Sequence, residues 1–136
     1  VFEKRGDNLL ATLDRIALDI GSSTAVIDKH IAETSGAYID FEADDLFYGF
    51  KGQAYAYYMI LNALSTDFEN LIRERELGNA WAQMLSSFRS VVELDPYVIS
   101  NAKTDGQLFP NHLAVQGFYL LRARTQLREI SNILLK

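Results

Sequence analysis

Between Phe47 and Leu71 the apolar positions fall at Phe47, Phe50, Ala54, Tyr57, Leu61, Leu64, Phe68 and Leu71, in alternating steps of three and four without a slip. Residues three and four apart share one face of an α-helix, so this spacing predicts one long amphipathic helix packed lengthwise against others. Asp40 or Asp44 serves as its cap, with Glu42, Asp44 and Asp45 near the positive end of its dipole, and Arg73 and Arg75 suit the other end. A second seam runs through Leu10, Leu13, Ala17, Ile20, Thr24, Ile27 and Ile31. It keeps its phase across Gly21-Ser22-Ser23, which predicts a single helix from about residue 8, capped by Asp7, to residue 33.

Two further helices complete the pattern. One follows the tight connection Leu77-Gly78-Asn79 and carries Leu77 or Ala80, Trp81, Met84, Phe88 and Val91. It stops at Asp95-Pro96, because proline disfavours a helical residue before it. The other runs from about residue 111 to 134 through Leu113, Gly117, Leu120, Ala123, Leu127, Ile130 and Leu134, with Pro110 in its first turn. Between them the periodicity lapses, and Tyr97-Val98-Ile99 with the turn signal Asp105-Gly106 predicts an irregular loop or a small hairpin over 96–109. Four long helices with mostly short connections predict an all-α fold, an antiparallel up-down-up-down bundle in a single domain spanning residues 1–136.

Composition narrows the function classes. A hydrophobic content of 49% over 136 residues is enough for a packed core. The net charge of −5 disfavours nucleic acid as a partner, because such partners are met by clustered Lys and Arg. The absence of cysteine excludes disulfides, thiolate metal sites and cysteine nucleophiles. No run approaches the ~20 apolar residues of a membrane-spanning helix. A start at Val1 rather than Met suggests a fragment or processed product, with any membrane anchor lying upstream.

One face of the second helix departs from the expected pattern. Tyr48 and Tyr55 point away from the seam and align with Gly52, Met59 and Ala63 in a second apolar stripe. A helix facing water on that side is expected to carry Lys and Glu, as its later half does at Glu69, Arg73 and Glu76. Gly49 and Gly52 each cost about 1 kcal/mol relative to alanine in a helix interior, which implies a close-approaching backbone. That backbone is a neighbouring helix of the same bundle, a second subunit, or a further segment.

The candidate chemistry is sparse. His112 beside Asn111 at a helix start suits a neutral imidazole acting as a general base, but with no evident nucleophile partner the favoured reading is a polar slot beneath the preceding loop, with Asn111 as the helix cap. The di-metal carboxylate pattern of helical bundles needs Glu three residues before His, and Ile27 and Phe109 hold those positions, so no metal or cofactor is expected. Arg122, Arg124 and Arg128 make the last helix the most basic element. Arg124 lies beside the seam, where an inward arginine needs a carboxylate partner. Asp14, Asp19, Asp44 and Asp45 are the candidates. An anion or ligand site on His112, Arg122, Arg124 and Arg128 is the alternative use.

Phe109-Pro110-Asn111-His112-Leu113, followed by Gly117-Phe118 and by Leu121-Arg122-Ala123-Arg124-Thr125-Gln126, resembles the uncharacterised bacterial family known as domain of unknown function 2333. Asp7-Asn8-Leu9-Leu10-Ala11-Thr12-Leu13-Asp14-Arg15 and Ala54-Tyr55-Ala56-Tyr57-Tyr58 fit the same resemblance. The resemblance implies a C-terminal portion of a longer protein, anchored to the inner membrane near its N-terminus and facing an aqueous compartment of the cell envelope. It carries no catalytic residues. The expectation is therefore a non-catalytic interaction or scaffolding domain. It would dock a protein partner or a second copy through Tyr48, Gly49, Gly52, Tyr55 and Met59. The alternative is a small-molecule or lipid-headgroup binder with a cleft near His112 and Arg124. A hydrolytic enzyme using His112 with nearby acidic residues ranks third.

Overall fold

A computed structural model describes residues 2–34, 41–94 and 108–136, with side chains described over 6–32, 45–94 and 113–136. Each seam forms a helix: α1 (Phe2–Thr34), α2 (Phe41–Asp67), α3 (Glu69–Glu74), α4 (Gly78–Glu93) and α5 (Leu108–Leu135). No strand occurs among the described residues. The expected hairpin over 96–109 falls almost wholly outside them.

Cross-helix contacts fix the directions. Ser23 meets Gln53 and Asp19 meets Tyr57, so α1 and α2 are antiparallel. Lys51 reaches Leu94 and Tyr57 stacks edge-on against Phe88, so α2 and α4 are antiparallel. Gly21 lies against Arg124 and Gly117 against Ile27, so α1 and α5 are antiparallel. The result is the up-down-up-down bundle. α1 packs most extensively on α5, which in turn packs on α4, and α4 on α2. α1 meets α2 along a narrower edge. Across the diagonal, the buried Gln116 donates from Nε2 to the Phe47 carbonyl at 2.8 Å. One and two heptads beyond that pair, Ala54, Ala123, Leu61 and Ile130 have no exposed surface.

The core is made by the seam residues. Leu13, Ile20 and Ile27 of α1, Phe47 and Leu61 of α2, Met84, Phe88 and Val91 of α4, and Leu113, Leu127 and Ile130 of α5 are fully buried. Each such side chain contributes roughly 1.5–3 kcal/mol by leaving water. Two glycines permit the α1–α5 approach. A Cβ on Gly117 would sit 3.2 Å from the Ile27 Cγ2, and one on Gly21 3.1 Å from the Arg124 Nε.

The structure corrects three boundaries. α1 begins at Phe2, so Asp7 lies inside the helix and is not its cap. The second predicted helix is interrupted at Phe68 (φ −110, ψ 23). The amides of Phe68 and Ile72 still reach the carbonyls of Leu64 and Phe68 at 2.9 Å, so the kink is local and the seam keeps its phase. The Ser65 hydroxyl donates back to the Asn62 carbonyl just before it, a bond that bends helices.

The third correction concerns the turn. The turn expected at Leu77-Gly78-Asn79 falls earlier: Glu76 is left-handed (φ 57) and Gly78 is already the first residue of α4. The Leu77 amide bonds to the Ile72 carbonyl at 2.8 Å and the Glu76 amide to the Arg73 carbonyl at 3.1 Å. That is a Schellman ending, and the buried Ile72 and Leu77 supply its hydrophobic pair. At the far end of α4, Leu94 turns to extended backbone (φ −62, ψ 121), and the Lys51 ammonium donates to its carbonyl at 2.9 Å. A cation there satisfies an orphan helix-end acceptor.

Candidate functional site

The face of α2 turned away from the bundle is the first candidate. Tyr48, Tyr55 and Met59 are 43%, 53% and 54% exposed, and no helix among the described residues covers them. Gly49 and Gly52 lie on the same face, and a Cβ built on either meets nothing within 4 Å. Among the described residues, none supplies the close-approaching backbone expected at these glycines. Ala56 and Ala63 extend the flat strip, and the half-exposed Ile60 borders it on the α1 side. The only charged residue between Tyr48 and Ala63 is Lys51, whose ammonium is turned to the end of α4. The face thus presents an aromatic row beside a ribbon of small residues, without charge.

The second candidate is a cleft between α1 and α5. Asp14, Ala17 and Leu18 line one side, and Arg124, Arg128, Ser131, Asn132 and Leu135 the other, around about 290 Å³. Arg124 lies flat over Gly21, and its Nε is buried without a hydrogen-bond partner. The Ser131 Oγ is likewise buried and unpartnered. The expected ion pair of Arg124 is not formed with any carboxylate among the described residues. Asp19 is engaged elsewhere, and Asp14 shares the cleft without pairing. The side chain of Asp44 lies outside the described residues.

Of the four residues grouped as an anion site, the structure brings together Arg124 and Arg128. Arg122 is exposed and falls on another side of α5, because two residues turn a helix by about 200°. The side chain of His112 lies outside the described residues. Its position is twelve residues before Arg124, about 18 Å along the helix, so one small cleft does not hold both.

The α1–α2 edge is polar in a different way. Ser23 donates to the Gln53 Oε1 at 2.8 Å, and the Tyr57 hydroxyl donates to the Asp19 Oδ2 at 2.7 Å. The other Asp19 oxygen stands 3.6 Å from the Arg15 Nε. Burial, and then the hydrogen bond and negative charge of Asp19, push the Tyr57 hydroxyl up to about 12. These groups pair chiefly with one another. Among the described residues no group of three His, Cys, Asp or Glu could hold a metal ion. None of the described helices is long and apolar enough to cross a membrane.

Reading the seams alone misses Ser131, Asn132 and Leu135 as lining residues. A signal was available, since Arg124, Arg128, Ser131 and Leu135 step by four, three and four beside the seam and form one stripe of α5.

Residues 2–136 match the model of a family described as an uncharacterized protein conserved in bacteria (DUF2333), which covers essentially the whole chain. The chain belongs to this family. No curated protein and no solved structure matches it.

Proposed function

We propose that this DUF2333 chain is a non-catalytic interaction domain whose exposed α2 face docks onto the same face of a second copy. The observation that carries the reading is the pair Gly49 and Gly52. Each weakens a helix interior by about 1 kcal/mol relative to alanine, yet neither is needed to make room for anything among the described residues. A contact from outside gives them a reason.

The shape of the face favours a second copy. The row of Tyr48, Tyr55 and Met59 stands beside the flat ribbon of Gly49, Gly52, Ala56 and Ala63. A two-fold axis brings the row of one copy onto the ribbon of the other, so one patch serves both partners. The absence of outward charge over this stretch removes the repulsion that an isologous pairing of like charges would meet.

Light scattering coupled to size exclusion tests the proposal. The wild-type chain is expected to be dimeric at micromolar concentration, and Tyr55→Glu monomeric with an unchanged helical spectrum, since Tyr55 is half exposed. Gly52→Leu is expected to lose the dimer through bulk on the ribbon while keeping its helical spectrum. A wild-type chain that remains monomeric at millimolar concentration overturns the reading and leaves this face to a different polypeptide.

A further inference from the structure

We propose that the cleft between α1 and α5 binds an amphiphilic monoanion: one oxyanion headgroup, carboxylate or phosphate ester, carried on an apolar chain. This site is separate from the α2 face. The headgroup end is marked by donors without acceptors. The guanidinium of Arg124 is held against α1 at Gly21 with its Nε buried and unpartnered, and Arg124 lines the cleft. Ser131, only 4% exposed, lines the same cleft with a hydroxyl that has no partner. Arg128, one turn from Arg124, and Asn132 add further donors.

Charge sets the valence of the ligand. Arg124 and Arg128 face Asp14 across the cleft, which leaves one net positive charge for a singly charged headgroup to neutralise. The Asp14 carboxylate in turn accepts from a hydroxyl or amine on the ligand's polar part. Leu18 and Leu135, which flank the cleft, are 65% and 68% exposed, far more than the other leucines of their helices that line the core. An apolar chain leaving the headgroup covers them.

Gly21 ties the arrangement to the sequence. It occupies the middle of a 33-residue helix, where alanine is the more stable choice. A Cβ there would stand 3.1 Å from the Arg124 Nε and 3.4 Å from its Cζ, so glycine lets the guanidinium lie flat on α1. The positioning of Arg124 accounts for a residue that helix stability alone disfavours.

The test titrates the full chain with a short-chain lysophosphatidylglycerol, a singly charged phosphodiester, and laurate below their micellar concentrations, with inorganic phosphate as the comparator lacking a chain, read by calorimetry and amide chemical shifts. Both amphiphiles are expected to saturate one site and to shift amides of residues 14–21 and 124–135. They are expected to bind at least about tenfold more tightly than inorganic phosphate, because the chain buries apolar surface. Arg128→Ala, at an exposed position, is expected to weaken binding at least about tenfold with the fold intact. Gly21→Ala is expected to weaken binding while the melting temperature holds or rises, which a merely structural glycine would not do. Co-sedimentation with phosphatidylglycerol vesicles that depends on Arg128 identifies the source as a bilayer headgroup. Binding of the free amphiphiles without co-sedimentation identifies a soluble ligand, and either result supports the site. Failure of both amphiphiles to saturate, equal affinity for inorganic phosphate, or unchanged affinity in Arg128→Ala overturns the proposal.

Discussion

The two flanks of α1 carry polar groups of similar kind and treat them in opposite ways. On the α2 side, Ser23, Gln53, Tyr57, Asp19 and Arg15 form bonds or close charge contacts with one another. On the α5 side, Arg124 and Ser131 hold buried polar atoms with no partner, beside an open cleft. Buried polar groups in folded proteins are nearly always paired, because an unpaired one costs about 1–3 kcal/mol. The paired flank therefore reads as architecture. The unpaired flank reads as a place where the fold gives up stability for contact with something outside it.

The largest effects separating the flanks come from removing one hydrogen-bonding group on each. Tyr57→Phe deletes a bond to a carboxylate and leaves Asp19 with one fewer donor. The edge is partly exposed, so the expected loss is about 1 kcal/mol, at or below the low end for hydrogen bonds to charged groups. Combining it with Asp19→Asn in a double-mutant cycle should return a coupling of that size in chemical denaturation. Arg124→Met keeps the side-chain stem over Gly21 and removes an unpaired charge, so stability is expected to hold or rise. A loss in Arg124→Met equal to that in Tyr57→Phe would erase the distinction between the flanks.

The same substitution at two serines gives a smaller but cleaner contrast. Ser23→Ala strands the Gln53 Oε1 and is expected to cost about 0.5 kcal/mol, the low end for a neutral hydrogen bond at a part-buried edge. Ser131→Ala removes a buried hydroxyl that bonds to nothing, so its expected effect on stability is near zero or favourable. Thermal melts of the two variants side by side measure this directly. Matching losses would mean that Ser131 is paired in solution and that the cleft is ordinary interior.

The seams that build the bundle were legible because each is a strict helical repeat: Leu13, Ala17, Ile20 and Ile27, or Phe47, Ala54 and Leu61, are buried as their spacing requires. Helix pairing was less legible. Periodicity says which face of α5 is apolar and not which neighbour lies at its edge, so Arg124 was read toward a carboxylate and stands instead over Gly21. The break at Phe68 was invisible because the apolar phase runs through it unchanged. The connection expected at Leu77-Gly78-Asn79 falls earlier, with Glu76 in the left-handed region, since the Ile72 and Leu77 pair fixes the register of the ending. The second stripe of α2 was legible as a stripe. Its exposure was not, because an apolar face on a bundle helix fits an inner neighbour as well as an outer one.

The smallest effect, a decline confined to alkaline pH, isolates the paired flank from the rest of the chain. Folding raises the Tyr57 hydroxyl from its ordinary value of 10.0 to about 12, through burial first and then the bond to Asp19 and its charge. The neutral phenol is thus the form the fold prefers. Below about pH 10 both folded and unfolded chains hold that proton, and the preference is fully present. Between about 10 and 12 the unfolded chain releases it first, so stability falls as pH rises through that window. Half exposure and solvent screening keep the drop modest. The chain has seven tyrosines, so the measurement must be a difference: denaturation midpoints across this range for wild type and Tyr57→Phe. The wild type is expected to decline more steeply, and the two curves should converge toward pH 12. Parallel curves would mean that the phenol is not held by Asp19 and that the α2 flank, too, is less closed than its geometry indicates.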